Sequence, residues 1–295
     1  MTSEIKAPAS TLFETGSVID NKWILIESIG KGGMGEVFRA HQLNLKRDVA
    51  IKVISEEILQ DLEENPQEVA SAMERLQREV QTMARVRHPN VLQIYDYGSV
   101  KDQQNGSSKQ VQYLAMEYIP GNTFRYTMSE EGFDDETDLL VEWLQNYFFP
   151  VLDGLEAIHA HDIIHRDIKP ENILMDGDTP KIADFGLARS PKLKAVSNSW
   201  DVKGTMPYMA PEQFADFRKA KIPADIYSLG KILYEAIIGK LDQKTVPFKA
   251  VRLEDPATDL LKAVDVIIRK ATDENQQNRY QAISELRQDL LQGLK

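Results

Sequence analysis

The stretch 165–186, HRDIKPENILMDGDTPKIADFG, constrains the fold more than any other part of the sequence. It contains two short, mainly apolar runs, ILM and KIA, which are separated by the turn-forming residues DGDTP and flanked by polar loops. This pattern predicts a loop, a strand, a hairpin turn, a second strand and a second loop. Because a hairpin returns its two ends to the same side, we expect Asp167, Asn172 and Asp184 to converge there.

The three converging side chains offer two carboxylates and one amide oxygen. Hard oxygen ligands of this kind suit Mg²⁺, and a carboxylate can also accept the proton of a hydroxyl nucleophile. The alternative interpretation is a polar hairpin held only by salt bridges.

The same stretch resembles the catalytic loop, the hairpin and the metal-binding loop of the eukaryotic-type (Hanks-type) protein kinases. Other segments resemble this family in the same chain order, from about Trp23 to Tyr280. The resemblance implies the α+β, bilobal protein-kinase fold, with a small antiparallel β-sheet N-lobe carrying helix C and a larger, mainly helical C-lobe. The implied parts are a flexible leader (1–20), an ATP-binding N-lobe (21–119) and a C-lobe with the catalytic and activation segments (120–295).

A glycine-rich turn precedes this region, where Gly30, Gly32 and Gly35 form a G-x-G-x-x-G pattern. The same spacing opens dinucleotide-binding units, but there it must lead into a helix. The residues that follow here, EVFRA, alternate like a strand, which favours a β-hairpin whose N–H groups approach phosphates without an intervening Cβ. A purely structural hairpin is the alternative. The resemblance completes the nucleotide-binding set with Ile29, Val37, Ala50, Lys52, Met116, Glu117, Ile119 and Leu174.

Lys52 stands inside the otherwise apolar run DVAIKVI, where an ammonium group needs a charged partner. A helix is predicted after the capping residues at 65–68, and Glu79 lies at the edge of its apolar stripe. The resemblance pairs Glu79 with Lys52. The alternative is a solvated Glu79 that pairs locally with Arg75.

The segment MEYIPG resembles the hinge that links the lobes, with Met116 as gatekeeper and the backbone groups of Glu117 and Ile119 reading the adenine edge. The alternative is a simple strand exit. A mostly buried helix is predicted from about Thr137, with its inward side chains at Leu140, Leu144, Tyr147, Val151, Leu155 and Ile158. The imidazoles at its end and beyond, His159, His161 and His165, also allow a zinc interpretation, although no acidic or Cys ligand lies at a matching spacing.

Later segments match the family less evenly. GTMPYMAPE resembles the end of the activation segment, whose Glu212 would pair with Arg279, and Asp225 would hold the backbone of the catalytic loop. Residues 241–262 fit the family's substrate-side helix poorly. The usual Pro before Arg279 is also missing, which leaves substrate docking open.

The resemblance implies a protein serine/threonine kinase that uses ATP, Mg²⁺ (with Mn²⁺ as an alternative ion) and protein substrates. Lys52 would hold the α- and β-phosphates, Lys169 would contact the γ-phosphate, and Asp167 would orient the hydroxyl and accept its proton. Asn172 and Asp184 would bind the metal. A catalytically inactive pseudokinase or scaffold and a small-molecule kinase of related fold are the rival interpretations.

Regulation by phosphorylation of the activation segment is also expected, with self-association of two copies for autophosphorylation. Arg166 and Arg189 would bind the phosphate. Ser197 or Ser199 is the expected acceptor, because Thr205 is expected to contact the catalytic residues.

The composition argues against three other classes of protein: nucleic-acid-binding, thiol-dependent and membrane-spanning proteins. A net charge of −11 and a pI near 5.1 argue against nucleic-acid binding. The sequence has no cysteine, which excludes disulfides and thiolate chemistry. Because no apolar run is long enough to span a membrane, we expect a cytoplasmic protein.

Overall fold

The computed structural model describes residues 13–32, 35–55, 66–102, 109–134, 136–184, 206–216, 219–241 and 247–295. These residues form two compact units. The first comprises the described residues within Met1–Val69 and Ile94–Tyr118, and the second those within Ala70–Gln93 and Ile119–Lys295. No helix in the described part of the chain is long and apolar enough to cross a membrane.

The first unit contains an antiparallel sheet with the strand order β1-β2-β3-β4-β6-β5. Its apolar residues alternate along the strands, so that one face of the sheet carries a buried core that includes Trp23, Phe38, Ile51 and Tyr113. The strands are β1 (Val18–Ile19), β2 (Trp23–Gly32), β3 (Gly35–Gln42), β4 (Arg47–Ser55), β5 (Ile94–Asp102) and β6 (Lys109–Glu117).

The glycine-rich segment is a β-hairpin and not the start of a dinucleotide-binding unit. Strand β2 pairs antiparallel with β3, with Gly32 opposite Gly35, while Gly33 and Met34 lie outside the described residues. Gly35 has a φ of +138°, and a Cβ there would lie 1.8 Å from the carbonyl oxygen of Val53. The hairpin therefore requires glycine at this position for two reasons, the backbone conformation and the close approach of β4.

The second unit is mainly helical. Its long central helix, α5, packs against α6, and α6 packs against α7. The helices are α1 (Pro66–Met83), most of which lies in this unit, α2 (Thr137–Trp143), α3 (Phe149–His159), α4 (Pro211–Ala215), α5 (Ile222–Ile238), α6 (Asp259–Ala271) and α7 (Ile283–Gly293).

The hairpin predicted in the central stretch is present as β7 (Ile173–Asp176) and β8 (Thr179–Ile182), which pair antiparallel. A 3-10 turn, Pro170–Asn172, leads into β7. On the other side of the hairpin, Asn90 fixes β8, because its carbonyl accepts the Ile182 N–H at 2.9 Å and its side chain donates to the Pro180 carbonyl at 2.9 Å.

The helix predicted from Thr137 contains a π-helical turn, Leu144–Phe148, between α2 and α3. Phe148, which is 1% exposed, occupies the inward position expected for Tyr147, which is only half-buried. Phe148 lies four residues after Leu144 and three before Val151, a spacing that also suits the apolar stripe of a helix. The prediction for Tyr147 was wrong, whereas Leu140, Leu144, Val151, Leu155 and Ile158 are buried as expected.

Replacing Gly35 by Ala tests the packing of the glycine hairpin. We expect Gly35→Ala to lower the free energy of unfolding by about 3 kcal/mol, since the new methyl group meets a backbone carbonyl and φ is unfavourable. Gly30→Ala is the matched control, because among the described residues its Cβ would approach the Val37 Cβ, at an unstrained 4.0 Å. Equal urea-unfolding curves for the two variants would contradict the steric argument.

Candidate active site

The loop before the 3-10 turn is anchored by one buried carboxylate on helix α5. Asp225 is fully buried and accepts the backbone N–H of His165 at 2.9 Å and that of Arg166 at 2.7 Å. The same carboxylate lies 2.8 Å from Nε2 of His159. The role that the family resemblance gives to Asp225 is therefore confirmed.

These contacts set the protonation of Asp225. Burial by itself would raise the pKa of this carboxyl, but the hydrogen bond and charge of His159, together with the donors around His165, outweigh burial and hold the pKa below its ordinary value. Asp225 is thus a buried anion whose oxygens are occupied by donors.

Arg166 adopts an unusual backbone conformation, with a φ of +65°. For a residue with a side chain this left-handed conformation costs about 1–2 kcal/mol, so the surrounding contacts must hold it. Asp225 accepts its N–H, and the side chain of Gln213 donates to its carbonyl at 2.8 Å. Gln213 also accepts the Ala210 N–H at 3.2 Å.

Gln213 is a positioning residue that the sequence analysis missed. A Gln three residues after a helix-start position commonly reaches back to the N-terminal backbone. That signal was present in the segment APEQ.

His165 connects the two polar loops of the hairpin. Its Nε2 lies 2.9 Å from the Ala183 carbonyl, and the Asp167 N–H approaches its Nδ1 at 3.3 Å. Nε2 is therefore the donor and Nδ1 the acceptor, which is the neutral ring. Burial lowers the pKa of His165, which keeps this tautomer. His165 is occupied by these contacts, so the zinc interpretation gains nothing from it.

Asp167 and Asn172 lie together, as predicted. The Asn172 amide donates to the Asp167 carboxylate and to the Asp167 carbonyl, both at 2.8 Å. Both side chains are largely buried, at 8% and 7% exposure. The bond fixes the direction of the Asp167 carboxylate and commits the Asn172 nitrogen, so that the Asn172 side-chain oxygen points elsewhere.

Asp184 lies two residues after the end of the second strand of the hairpin. Its neighbour Ala183 donates its N–H to the Asn172 carbonyl at 2.8 Å, which ties the two loops together. Asp184 itself is exposed and has a φ of +53°. Lys169 is half-buried and extended, one residue before the 3-10 turn.

Asn172 and Asp184 fit Mg²⁺, an ion that phosphates and water also bind, better than they fit a metal whose ligands all come from the protein. Among the described residues, no three His, Cys, Asp or Glu side chains cluster as metal ligands. Mg²⁺ commonly takes one or two carboxylates together with substrate phosphates and water. An amide oxygen from Asn172 and a carboxylate from Asp184 meet that requirement.

In the first unit, the sheet aligns several of the residues assigned to the nucleotide. Val37 lies opposite Gly30 on one side and Lys52 on the other, and Ala50 lies opposite Met116. Residues paired in this way share a face, as do Ala50 and Lys52, which are two apart. Val37, Ala50, Lys52 and Met116 therefore lie on one face of the sheet.

The remaining nucleotide candidates lie at the ends of these elements. Ile29 is 45% exposed near the tip of the hairpin. Glu117 and Ile119, at and just after the end of β6, are half-buried, and Leu174 is half-buried on β7.

Glu79 lies on α1 and is half-buried. Burial raises the pKa of its carboxyl, and the positive charges of Arg166 and Arg75 oppose that shift without cancelling it. Arg166 of the catalytic loop thus lies within electrostatic range of Glu79, whose predicted partner Lys52 belongs to the other unit.

Glu212 and Arg279 form the predicted ion pair. The guanidinium donates to both carboxylate oxygens, at 2.8 and 2.9 Å, and its side chain is fully buried. It also donates to the backbone carbonyls of Pro223 and Asp273. This pair fixes the start of α4 against the C-terminal region.

A second network of polar side chains, two of which, Glu235 and Tyr208, are buried, was not predicted from the sequence. Arg125 donates to Glu235 at 2.5 Å, to the Tyr208 hydroxyl at 2.7 Å and to Glu171 at 2.8 Å. Tyr208 also donates to Glu235 at 2.5 Å. Glu171 lies next to Asn172, so the network links the catalytic loop to α5 and to the residues before α4.

The expected regulatory residues Arg189, Ser197, Ser199 and Thr205 lie outside the described residues.

Comparison with known proteins agrees with this geometry. Residues 23–294 match the family described as the protein kinase domain. The chain therefore belongs to the protein kinase family.

Two curated relatives are named as serine/threonine-protein kinases. The chain is 33% identical over 287 residues to the serine/threonine-protein kinase PknB of Mycolicibacterium smegmatis, covering 92% of this chain and 43% of the relative. It is 30% identical over 295 residues to a probable serine/threonine-protein kinase of Clostridium perfringens, covering 93% of this chain and 38% of the relative. The chain thus spans less than half the length of these relatives.

Solved structures share the fold. The apo form of PpkA-294 aligns with a TM-score of 0.68 at 23% identity, covering 95% of this chain and 100% of that one. A mutant of the PknI kinase domain of Mycobacterium tuberculosis aligns with a TM-score of 0.65 at 21% identity, covering 96% of this chain and 99% of that one. The α+β kinase fold expected from the sequence is confirmed.

Acid unfolding tests the anchor at Asp225. Because its folded-state pKa is lowered, its stabilising effect is complete above the unfolded-state pKa of about 3.9 and is lost as the pH falls through the folded-state pKa. Asp225→Asn should lower the free energy of unfolding by about 3 kcal/mol near neutral pH, with a smaller difference from the native chain in acid. Urea titrations across this pH range measure the difference.

Glu142→Gln, at an exposed position on α2, is the matched control and should change stability by less than about 0.5 kcal/mol throughout. A pH-independent effect of Asp225→Asn would mean that the lost contacts do not depend on the charge of the carboxylate.

Proposed function

We propose that the chain is a protein serine/threonine kinase, which transfers the γ-phosphoryl group of ATP to a Ser or Thr hydroxyl of a protein substrate. The observation that carries the proposal is the Asp167 carboxylate, oriented by the Asn172 amide at 2.8 Å within a loop anchored on Asp225. A buried, directed carboxylate is the group that this reaction needs beside the hydroxyl. The names of the curated relatives support the same activity.

In this proposal, the hydroxyl of the substrate lies against the Asp167 carboxylate. The new bond forms between the hydroxyl oxygen and the γ-phosphorus, the bond from that phosphorus to the bridging oxygen breaks, ADP leaves and the hydroxyl proton passes to Asp167. Lys169, two residues further on, contacts the γ-phosphate. Little covalent chemistry is asked of the protein, whose task is to position groups and balance charge.

ATP contacts are assigned to the face of the sheet that carries Val37, Ala50 and Lys52. Lys52 binds the α- and β-phosphates, the glycine hairpin covers the phosphates with its backbone, and Met116, Glu117 and Ile119 contact the adenine. Asn172 and Asp184 would hold Mg²⁺, which neutralises phosphate charge when bound. Glu79 is assigned to Lys52 as its partner in the active arrangement. In this structure its carboxyl lies within electrostatic range of Arg166.

Replacing Asp167 tests its assigned role. We expect Asp167→Asn to lower kcat by about 10²–10⁴, the scale of a positioned general base, while ATP affinity stays nearly unchanged. Radiolabelled ATP with Mg²⁺ and a generic protein substrate measures turnover, and fluorescent-nucleotide titration measures affinity. A collapse in ATP affinity with normal kcat would refute the role.

Replacing Asp184 should lower ATP binding as well as turnover, unlike the replacement of Asp167. Asp184→Asn puts a neutral amide where a hard cation needs a carboxylate, so we expect Mg²⁺-dependent ATP binding and turnover to fall together. The exposed Asp178→Asn in the hairpin turn is the matched control and should keep both. Near-normal phosphorylation by Asp184→Asn would remove Asp184 from the metal site.

We further propose that phosphorylation of Ser197 or Ser199, by a second copy of the chain, raises activity. A phosphate carries about −1.5 to −2 charges, which suits the guanidinium of Arg166, with Arg189 as a second donor. Incubation with Mg²⁺ and ATP followed by mass mapping should place phosphate there, and the double Ser→Ala variant should be less active. An unmodified segment with full activity in that variant would argue for regulation elsewhere.

A further inference from the structure

An arginine lies on the face of the sheet to which ATP is assigned, beside the residues assigned to the adenine. Arg39 of β3 is paired with Ala50 of β4, and Ala50 is paired with Met116 of β6. Residues paired in this way are neighbours on one face of a sheet. Arg39 therefore lies in the same row as two residues of the assigned nucleotide surface, although the proposed reaction gives it no role.

Two carboxylates hold the Arg39 side chain in one direction. Asp48 accepts from its Nε at 2.8 Å and from its Nη2 at 2.6 Å, and Glu27 accepts from its Nη1 at 3.1 Å. The second Asp48 oxygen lies 3.0 Å from Nδ1 of His41. Hydrogen bonds from His41 and Arg39 hold the pKa of the Asp48 carboxyl below its ordinary value. All three guanidinium nitrogens are thus engaged, which fixes the plane of the group.

The guanidinium group of Arg39 lies over an aromatic ring. Its central carbon is 5.5 Å from the centroid of the Tyr118 ring, which is within the range of a cation–π contact. Strand β4 separates β3 from β6, so the Arg39 side chain crosses about 10 Å of sheet to reach the ring. Ala50, which lies in between, has only a methyl side chain and leaves room for the crossing.

Tyr118 is the residue at which the chain leaves the sheet. The last residue of β6, Glu117, is paired with Val49 of β4. The described residues 118–122 that follow belong to no helix or strand. Because no ladder of backbone hydrogen bonds continues there, side-chain contacts must position this part of the chain. The contact with Arg39 holds the first residue beyond the ladder.

We propose that Arg39 is a positioning residue for the nucleotide, because it holds the Tyr118 ring against the sheet and so fixes the backbone of Glu117 for its contact with the adenine. The assignment of Glu117 to the adenine rests on the proposed function, whereas the contact between Arg39 and Tyr118 does not. Arg39 acts through Tyr118 and not on the reacting groups, so its loss should weaken ATP binding and leave kcat at saturating ATP unchanged.

Fluorescent-nucleotide titration of the intact chain measures the effect on binding. We expect Arg39→Ala to weaken ATP binding about fivefold, the scale of an exposed cation–π contact, and to raise KM for ATP by the same factor. Arg39→Lys keeps a cation but not the planar group, so it should recover part of the affinity. Native affinity in Arg39→Ala would overturn the proposal.

Arg47→Ala is the matched control for this loss. Arg47 also stacks on a tyrosine of the first unit, with its guanidinium carbon 3.8 Å from the centroid of the Tyr95 ring. It directly precedes Asp48 on β4, so its side chain lies on the opposite face of the sheet from Arg39. Arg47→Ala should bind ATP as the native chain does. An equal loss of affinity in Arg47→Ala would mean that any such contact in the sheet matters, and would overturn the assignment to Arg39.

Replacing Tyr118 tests the other side of the contact and leaves the carboxylates paired with Arg39. Tyr118→Leu should weaken ATP binding as much as Arg39→Ala does, and Tyr118→Phe, which keeps the ring, should bind ATP as the native chain does. The double variant of Arg39→Ala and Tyr118→Leu should lose no more than either single variant, because both remove the same contact. Additive losses, or a Tyr118→Phe as weak as Tyr118→Leu, would overturn the proposal.

Hydrogen exchange without nucleotide tests the contact independently of the proposed function. The amides of residues 113–120 should exchange about two- to fivefold faster in Arg39→Ala and in Tyr118→Leu than in the native chain, and at the native rate in Arg47→Ala. Urea-unfolding curves that match the native chain separate this local effect from a loss of global stability. Native exchange rates in both variants would overturn the positioning role. If the native chain binds no ATP and phosphorylates no substrate, the proposed function fails, while the exchange rates still judge the contact.

Discussion

The buried carboxylate of Asp225 is the constraint on which the catalytic loop depends. It accepts the N–H groups of two consecutive residues, His165 and Arg166, and so fixes the chain direction just before Asp167. A buried anion without donors would be too costly to keep, and backbone N–H groups without acceptors would be costly as well. The Asp225 carboxylate and the two backbone N–H groups therefore require each other, so the geometry of the catalytic loop depends on the position of helix α5.

A chain of three hydrogen bonds connects the anchored residues to Asp167. His165 donates to the Ala183 carbonyl, the Ala183 N–H donates to the Asn172 carbonyl, and the Asn172 amide donates to the Asp167 carboxylate. The hairpin β7–β8 supplies the geometry that lets these residues meet across the two polar loops. The left-handed backbone at Arg166 and Asp184 is tolerated because the residues around it are held by such bonds.

Two further groups of charges hold the surroundings of the loop. Arg279 donates hydrogen bonds to Glu212 and to nearby backbone carbonyls, and Arg125 donates to Glu235, Tyr208 and Glu171. Removing Arg125 would leave the buried Glu235 carboxylate without its cation, and removing Glu212 would leave the buried Arg279 guanidinium without its anion. Both groups therefore resist local rearrangement.

The sequence by itself determined the hairpin, the glycine turn and the meeting of Asn172 with Asp167. Those features follow from local patterns, such as period-two alternation, turn residues and glycine, whose meaning depends on few neighbours. The fold class came from the family resemblance. The pairing of Glu212 with Arg279 came from the family resemblance and is present in the structure.

Only the tertiary structure decided which distant side chains complete the site. Phe148 and not Tyr147 occupies the inward position after Leu144, because two adjacent aromatic residues both fit the helical spacing and only packing chose between them. Gln213 and the Arg125 network depend on where separate segments pack, and spacing along the chain does not encode that. The position of the irregular segment 247–258 likewise depends on hydrogen bonds to Asp265 of α6 and to Thr272 just after it. Long-range packing decided these features, since their partners are far apart in sequence.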